Sequence, residues 1–209
     1  MNLNNTTNFE AINKKTPFIG CKEFILPNTQ RDNINIFSKK LEPHSQCKST
    51  SCTIFLNWLG GKLKKEYPKL ATLEFMNDFQ YNNILLSFMG SGEKIQDWNP
   101  HIKLFRFIFK EAKLPYKVNF GNTMKNMDKI LKSMLLGFPV VQGLKNTNAG
   151  HIILWYRNYN YLDYSNCIID SYGNPLNNYR NQKADYYMID SNNWNKWLIS
   201  ECNSIFISE

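Results

Sequence analysis

The spacing of apolar residues changes at Gly137, and this change constrains the fold more than any other feature of the sequence. Upstream of Gly137, apolar residues recur three or four positions apart, which predicts amphipathic helices. One such stripe consists of Ile102, Phe105, Ile108, Phe109 and Ala112. Downstream of Gly137, short apolar runs alternate with turn signals, which is typical of β-strands. The sequence therefore predicts an α+β fold, with a helical first half and an antiparallel sheet in the second half.

The helices and strands can be placed approximately along the chain. The predicted helices run from Cys47 to a glycine pair at 60 and 61, over Lys69–Phe79, from Asn99-Pro100 onward, from Thr123 to just before Gly137, and over Ser191–Leu198. The predicted strands are Phe138–Leu144, His151–Tyr156, Cys167–Asp170, Tyr186–Ile189 and Ser204–Ile207. Short extended pieces are expected at Phe24–Leu26 and Ile34–Phe37. We expect residues 1–15 to form a flexible amino terminus and residues 16–209 to form a single domain.

The composition excludes disorder of the whole chain and bears on whether the protein binds nucleic acid. The chain contains 14 Phe, 11 Tyr and 5 Trp, which require a core. The net charge of +8 suits an acidic partner such as nucleic acid, but only 4 of the 25 basic residues are arginine, the side chain best suited to base recognition. Lysine is accompanied by 29 Asn, a pairing typical of an AT-rich coding sequence. A solvated surface is therefore favoured over a nucleic-acid interface, which remains open.

The cysteines and the amino terminus predict the compartment. There are five cysteines, at positions 21, 47, 52, 167 and 202, without regular spacing. The first 15 residues lack the apolar core of a secretory signal, and no run of about 18 apolar residues occurs anywhere. We therefore expect free thiols, a cytoplasmic location and no membrane association.

Cys47 stands at the start of an apolar helix, in the sequence Gln46-Cys-Lys-Ser-Thr-Ser-Cys52. Unpaired N–H groups and the positive end of the helix dipole stabilise a thiolate at that position. Thiolate is the form of cysteine that attacks carbonyl carbons. Cys47 is therefore a candidate nucleophile, and a buried structural cysteine is the alternative.

A nucleophilic cysteine needs a base, and the chain has three histidines. His44 lies close to Cys47 in a loop, and His101 is expected to be a surface or capping residue near a helix start. His151 opens the most apolar predicted strand, and Asp170 ends another strand 19 residues later. If the two strands pair, Asp170 can orient the imidazole of His151 as in a catalytic triad. A buried His–Asp pair without a catalytic role is the alternative.

Metal and phosphate sites are poorly supported by the sequence. A zinc ion would use His44, Cys47 and Cys52, but their spacing matches no common zinc pattern and a fourth ligand is not evident. Gly90 and Gly92 lack the Gly-Lys-Ser/Thr that completes a phosphate-binding loop. We therefore expect neither a metal nor a cofactor.

Four segments, in order, resemble the papain-like cysteine peptidases of clan CA, in the branch of the bacteriocin leader peptidases. They are Thr29-Gln-Arg-Asp-Asn33, Cys47-Lys-Ser-Thr-Ser51, Gly150-His-Ile-Ile-Leu154 and Ile169-Asp-Ser-Tyr-Gly-Asn174. The stretch at 137–140 also matches the Gly-x-Pro-Val that precedes the histidine in that family, and the similarity covers about residues 24–176. The order and spacing of the segments are more specific than any one of them.

The resemblance implies a papain-like two-lobed fold and a role for each matching residue. Cys47 would be the nucleophile, His151 the general base and acid, and Asp170 the acid that orients the imidazole. Gln30 matches the glutamine whose side-chain amide donates to the oxyanion. Gln46 is a competing oxyanion candidate because it adjoins the cysteine.

The chain departs from the family pattern at three places. Lys48 stands where family members usually have Gly, and this side chain would narrow the site or favour an acidic substrate. Ser171 replaces the Pro that follows the aspartate, and Tyr156-Arg-Asn158 replaces a Val-Gly-Tyr. None of these changes removes a proposed catalytic group.

Three functional hypotheses follow. The first is a thiol hydrolase that cleaves a peptide or amide bond in a peptide or protein substrate, with specificity in Phe79–Trp98 and in the loop at 156–166. The second is a catalytically inactive binding module that uses basic residues to hold nucleic acid or another acidic partner. These residues, expected to cover more than one helical face, are Lys103, Arg106, Lys110, Lys113 and Lys117. The third is acyl transfer, in which an amine replaces water.

Overall fold

The computed structural model describes residues 46–145, 150–157, 166–172, 185–189, 191–198 and 201–209. The predicted flexible terminus and the extended pieces before Gln46 lie outside these residues. The helices are α1 (Cys47–Leu63), α2 (Asp78–Leu86), α3 (Trp98–Glu111), α4 (Met127–Leu135) and α5 (Ser191–Trp197), with 3-10 turns at Pro68–Leu73 and Met124–Asn126. The strands are β1 (Lys117–Asn122), β2 (Val140–Leu144), β3 (His151–Arg157), β4 (Asn166–Asp170), β5 (Asp185–Ile189) and β6 (Asn203–Ser208). The predicted α+β class with a helical first half is confirmed.

The six strands form one antiparallel sheet in the order β1-β6-β2-β3-β4-β5. All five predicted strands are present, each within two residues of its expected ends. Strand β1 was not predicted from the sequence, because Lys117–Asn122 contains Gly and Asn residues that disfavour strands. This segment is held as a strand by pairing with β6, where Lys117 lies opposite Ser208 and Phe120 lies opposite Ile205.

The sheet has a hydrophobic cluster on each face, and α1 lies at the centre of the larger one. Every residue of α1 from Lys48 to Gly60 is buried. A helix that is buried on all sides needs no amphipathic pattern, and α1 shows none in its sequence. Alternate residues of β3 face the two clusters: Leu154 and Tyr156 pack with α1, whereas Ile153 and Trp155 pack with α4 and α5. In α5, Trp194 is buried and Trp197 is partly buried against the smaller cluster.

The predicted end of α1 at Gly60 and Gly61 is wrong. The helix continues to Leu63, and neither glycine has a positive φ. Gly60 is instead a point of close approach, because a Cβ atom there would lie 2.7 Å from the carbonyl oxygen of Leu70 and 2.6 Å from the amide nitrogen of Glu74. The glycine therefore lets the turn at Pro68–Leu73 pack directly on the helix backbone.

Three other helix starts differ from the predicted ones. Helix α4, predicted to begin at Thr123, begins at Met127 after the 3-10 turn at Met124–Asn126. The segment predicted as a helix over Lys69–Phe79 divides into a 3-10 turn and α2, which begins at Asp78. Asn77 caps α2 in a reciprocal pair with Gln80, which fixes this start. Helix α3 begins at Trp98, so Pro100 is its third residue, still within the first turn where a missing N–H costs nothing.

Helices α3 and α4 end in the same way but with different residues. Each ends in a left-handed residue, which is Gly137 (φ 90°) after α4 and Lys113 (φ 56°) after α3. In both helices the amides of that residue and the next return to carbonyls of the last turn at 3.0–3.1 Å. This pattern is a Schellman motif, in which glycine avoids the steric cost that Lys113 bears.

Candidate active site

Cys47 is the first residue of α1 and is partly exposed, whereas the helix residues from Lys48 to Gly60 are buried. The helix start leaves backbone N–H groups in the first turn without helical partners. The amide of Ile152 in β3 also donates a hydrogen bond to the thiol. In addition, the hydroxyl of Ser51, one helical turn after Cys47, donates to the carbonyl oxygen of Ile152 at 3.1 Å. The end of α1 that carries Cys47 is therefore attached to the start of β3 through both backbone groups of Ile152.

His151 is the first residue of β3 and follows Gly150, whose positive φ of 72° turns the chain into the strand. The predicted pairing of β3 with β4 is present, with Leu154 opposite Ile169. Asp170 is therefore level with Ile153, two residues along from His151 and on the same face of the sheet. Diagonal neighbours of this kind are within reach of long side chains. His151 Nε2 and Asp170 Oδ1 are 2.6 Å apart.

Asp170 is completely buried and accepts three hydrogen bonds. Its Oδ1 atom accepts from His151 Nε2 and, at 2.8 Å, from the backbone N–H of Tyr172. Its Oδ2 atom accepts from the hydroxyl of Tyr187 in β5 at 3.3 Å. Both carboxylate oxygens are therefore held, which fixes the plane of the group that orients His151.

The thiol of Cys47 forms a hydrogen bond with His151. Because Nε2 is taken by Asp170, Nδ1 is the ring nitrogen available to the thiol. Burial raises the pKa of Cys47, but the hydrogen bond and charge of His151, the amide of Ile152 and the charge of Lys48 together outweigh burial, so the pKa lies below its ordinary value. Burial lowers the pKa of His151, yet the charge and hydrogen bond of Asp170 raise it above the ordinary value. These directions favour a thiolate–imidazolium pair.

Cys52 on the same helix shows the opposite behaviour. Burial raises its pKa to about 12, against the opposing effects of a hydrogen bond with Tyr81 and the charge of Lys48. The thiol of Cys52 therefore remains protonated at neutral pH. All four cysteines in the described ranges are free: Cys47, Cys52, Cys167 and Cys202. Among them the structure assigns the thiolate environment to Cys47.

Helix α2 supports the end of α1 that carries Cys47 through buried hydrogen bonds. Asn82 donates from Nδ2 to Oε1 of Gln46 at 3.2 Å, and the hydroxyl of Thr50 donates to Oδ2 of Asp78 at 2.7 Å. Asn57, further along α1, donates to two backbone carbonyl oxygens just before α2. These contacts fix the position from which Cys47 faces β3.

The prediction that His101 is a surface or capping residue is wrong. Its side chain is fully buried, with Nδ1 2.6 Å from the hydroxyl of Tyr81 and Nε2 2.7 Å from the carbonyl oxygen of Ile95. Burial lowers the pKa of His101 to about 3, although the Ile95 carbonyl opposes the shift. A neutral ring donates one of these bonds and accepts the other, so His101 links α2 to α3 from within the core.

The structure brings together three of the four residues predicted for the site. Cys47, His151 and Asp170 form one hydrogen-bonded row, whereas Gln30 lies outside the described residues. Gln46, the competing oxyanion candidate, is buried and its Oε1 atom is turned toward Asn82 of α2.

Three residues that contact the site, Ser51, Ile152 and Tyr187, were not predicted from the sequence. Of these, only Ser51 could have been predicted from the sequence, because it lies four residues after Cys47 and therefore on the same face of the helix. The contributions of Ile152 and Tyr187 depend on the packing of α1 on β3 and of β5 on β4.

Comparison of the chain with protein-family models, curated proteins and solved structures found no match. Within the described residues, no three His, Cys, Asp or Glu side chains are grouped so that they could hold a metal ion, and His44 of the weighed zinc set lies outside these residues. Among the helices of the described ranges, none combines the length and the apolar character needed to cross a membrane.

Proposed function

We propose that the protein is a thiol hydrolase, a cysteine peptidase or amidase with a papain-like two-lobed arrangement of helices and sheet. The observation that carries the proposal is the hydrogen-bonded row of Cys47, His151 and Asp170, with the cysteine at the start of a central helix. This row contains a nucleophile, a base and a group that orients the base, the three parts that acyl transfer through a covalent intermediate requires.

In the first half of the reaction, the thiolate of Cys47 attacks the carbonyl carbon of the substrate and forms a C–S bond. The electron pair of the carbonyl moves to oxygen and gives a tetrahedral oxyanion. As the carbonyl re-forms, the C–N bond breaks and the imidazolium of His151 gives its proton to the leaving amine. The products of this half are the free amine, a neutral His151 and a thioester on Cys47.

In the second half, neutral His151 takes a proton from a water molecule whose oxygen attacks the thioester carbon. The C–S bond breaks, a carboxylic acid leaves, and the thiolate–imidazolium pair is restored. Asp170 stays ionised throughout and keeps the ring of His151 in one orientation, held in turn by Tyr172 and Tyr187.

The oxyanion needs hydrogen-bond donors near Cys47. The backbone N–H of Cys47 is one proposed donor, since it belongs to the first turn of α1. The side-chain amide of Gln30 is the second, on the basis of the sequence resemblance. The proposed substrate is a peptide or protein, and a reducing compartment such as the cytoplasm would preserve the reactive thiol.

Site-resolved alkylation tests the proposed nucleophile. We expect iodoacetamide at pH 6.5 to modify Cys47 at least tenfold faster than Cys202 in the same molecule, because only thiolate reacts. Cleavage of a diverse peptide mixture, followed by mass spectrometry, should be lost in Cys47→Ala and retained in Cys202→Ala. Equal alkylation rates at the two cysteines would refute the activated thiolate. Cleavage that survives in Cys47→Ala would refute the hydrolase mechanism.

A second candidate function, binding of an acidic partner, is supported by the exposed face of α3. Lys103, Arg106 and Lys110 share this face with Phe107, which is 48% exposed. These three basic residues lie on one helical face, whereas Lys113 and Lys117 lie beyond the end of α3, so the five residues are spread as expected. Lys103 is paired with Glu93 at 3.2 Å. Binding of single-stranded RNA that weakens steeply with salt would support this function, and no binding at about 50 mM salt would refute it.

A further inference from the structure

Lys48 follows Cys47 directly and is buried, with only 7% of its surface exposed. Burial of a lysine is costly unless its ammonium group finds partners. The Nζ atom of Lys48 donates to the carbonyl oxygen of Gln96 and lies 4.1 Å from the ring centroid of Trp98. The ring of Trp98 in turn lies 5.3 Å from that of Phe120 in β1. Lys48 therefore connects the nucleophile turn of α1 to the start of α3.

These contacts argue against a substrate-binding role for the ammonium group of Lys48. The group is covered by protein and already interacts with a carbonyl oxygen and an aromatic face, both of which favour a cation. The expected preference for an acidic substrate therefore gains no support from this side chain. A cation fixed beside the nucleophile has a different use, because it stabilises negative charge on sulfur.

We propose that Lys48 is a positioning residue of the site, whose buried cation is held beside Cys47 by Gln96 and Trp98 and stabilises the thiolate together with His151. This inference rests on the proposed role of Cys47 as nucleophile. It also accounts for a bulky charged residue at a place where the resembling peptidases have glycine.

The groups around Lys48 determine how its charge acts. From α1, Cys47 and Cys52 interact with the ammonium, and from the segment before α3 Asp97 does so. The buried ring of His101 in α3 also feels the charge of Lys48, but its pKa of about 3 leaves it neutral over most of the range in which Cys47 titrates. Cys52 remains a neutral thiol, so Cys47 is the anion on α1 that the charge can stabilise. Burial lowers the pKa of Lys48 to about 8, with the cysteines and Asp97 opposing the shift, so the cation is present at neutral pH and below.

The test is the pH dependence of Cys47 alkylation by iodoacetamide, resolved by mass spectrometry between pH 4 and 9. We expect Lys48→Met to move the midpoint of the acid limb upward by about 0.5 to 1 unit, which lowers the rate on that limb about threefold to tenfold. Lys48→Gln should give the same shift, because it can still donate to Gln96 but carries no charge. Lys48→Arg, which keeps the charge, and Lys65→Met, which removes an exposed charge after the far end of α1, should leave the midpoint unchanged.

The results separate this inference from the proposed function. A wild-type midpoint in both neutral variants would overturn the role of Lys48 while leaving Cys47 as the nucleophile. Unfolding of both neutral variants would overturn it as well, since Lys48 would then act only on stability. A wild-type Cys47 without any low-pH alkylation would instead refute the proposed function. Alkylation needs no substrate, so failure to find a cleaved peptide does not affect the measurement.

Discussion

Replacing Asp170 by Asn removes one negative charge from the buried row and leaves the shape of the side chain unchanged. His151 Nε2 lies 2.6 Å from Asp170 Oδ1, and Asp170 has no exposed surface, so water does not screen this bond. A hydrogen bond to an ionised partner contributes about 1.5–3 kcal/mol, roughly twice the value of a neutral one. The amide oxygen of Asn can still accept a bond, so the net loss for the imidazolium is about 1–2 kcal/mol.

This loss should appear directly in the reactivity of Cys47. Since about 1.4 kcal/mol corresponds to a factor of ten, the thiolate–imidazolium pair becomes about 5 to 30 times less populated relative to the neutral pair. We therefore expect iodoacetamide to modify Cys47 about 5 to 30 times more slowly in Asp170→Asn at pH 6.5. The measurement is the rate of carbamidomethylation by mass spectrometry, with Cys202 of the same chain as the internal reference.

Two controls make the result decisive. Asp128→Asn removes an exposed charge in the first turn of α4 and should leave the Cys47 rate unchanged. Thermal unfolding followed by circular dichroism shows whether Asp170→Asn is folded at the assay temperature. A Cys47 rate within twofold of wild type in folded Asp170→Asn would refute the argument that Asp170 stabilises the ion pair.

Four further predictions concern single residues. Tyr187→Phe removes a 3.3 Å bond to Asp170 and should slow Cys47 alkylation at pH 6.5 about twofold to fivefold with little change in thermal stability; an unchanged rate would contradict a positioning role. Gly60→Ala should destabilise the protein by about 1–3 kcal/mol in urea unfolding, because the new Cβ would lie 2.6–2.7 Å from backbone atoms. This cost should exceed the gain from the better helix propensity of Ala. Gly61→Ala is the matched control and should not destabilise, since its Cβ would meet no atom closer than 3.7 Å. Both Lys113 and Gly137 have left-handed backbone, which glycine adopts without steric cost. In urea unfolding, Lys113→Gly should therefore stabilise the protein by about 0.5–1 kcal/mol, and Gly137→Ala should destabilise it by about 1–2 kcal/mol. Changes of the same sign would contradict the shared helix ending. Burial lowers the pKa of His101 to about 3, so between about pH 6.5 and 3 the unfolded chain binds a proton that the folded chain does not. The free energy of unfolding should therefore decrease as the pH falls, by up to about 1.4 kcal/mol per pH unit. The urea midpoints measured at pH 4.5 and 6.5 should differ more in wild type than in His101→Gln.

The local sequence was sufficient for the fold class and for the strands that line the site. The runs at His151 and Asn166 are apolar, β-branched and bounded by turn residues, so their existence does not depend on distant contacts. Their pairing then follows from the short connection, and with it the approach of His151 to Asp170. The same holds for Cys47 at the start of α1, which begins at the predicted residue.

Other elements were determined by contacts between distant segments. The strand at Lys117–Asn122 has poor strand propensity and exists because β6 pairs with it. Gly60 has the sequence signature of a helix end, but the packing of Pro68–Leu73 on α1 gives it a different role. His101 has the polarity of a surface residue and is buried because Tyr81 and Ile95 satisfy both ring nitrogens.

The sequence by itself therefore determined which side chains are candidates for the proposed chemistry, a cysteine at a helix start and a histidine and an aspartate on adjacent strands. Local propensity and side-chain alternation are properties of short segments, so they can be read from one amino-acid sequence. Only the tertiary structure decided the electrostatics of these side chains. The pKa of Cys47 depends on burial, His151, Ile152 and Lys48 together, and the placement of Lys48 depends on Gln96 and Trp98, which are 48 and 50 residues away in sequence.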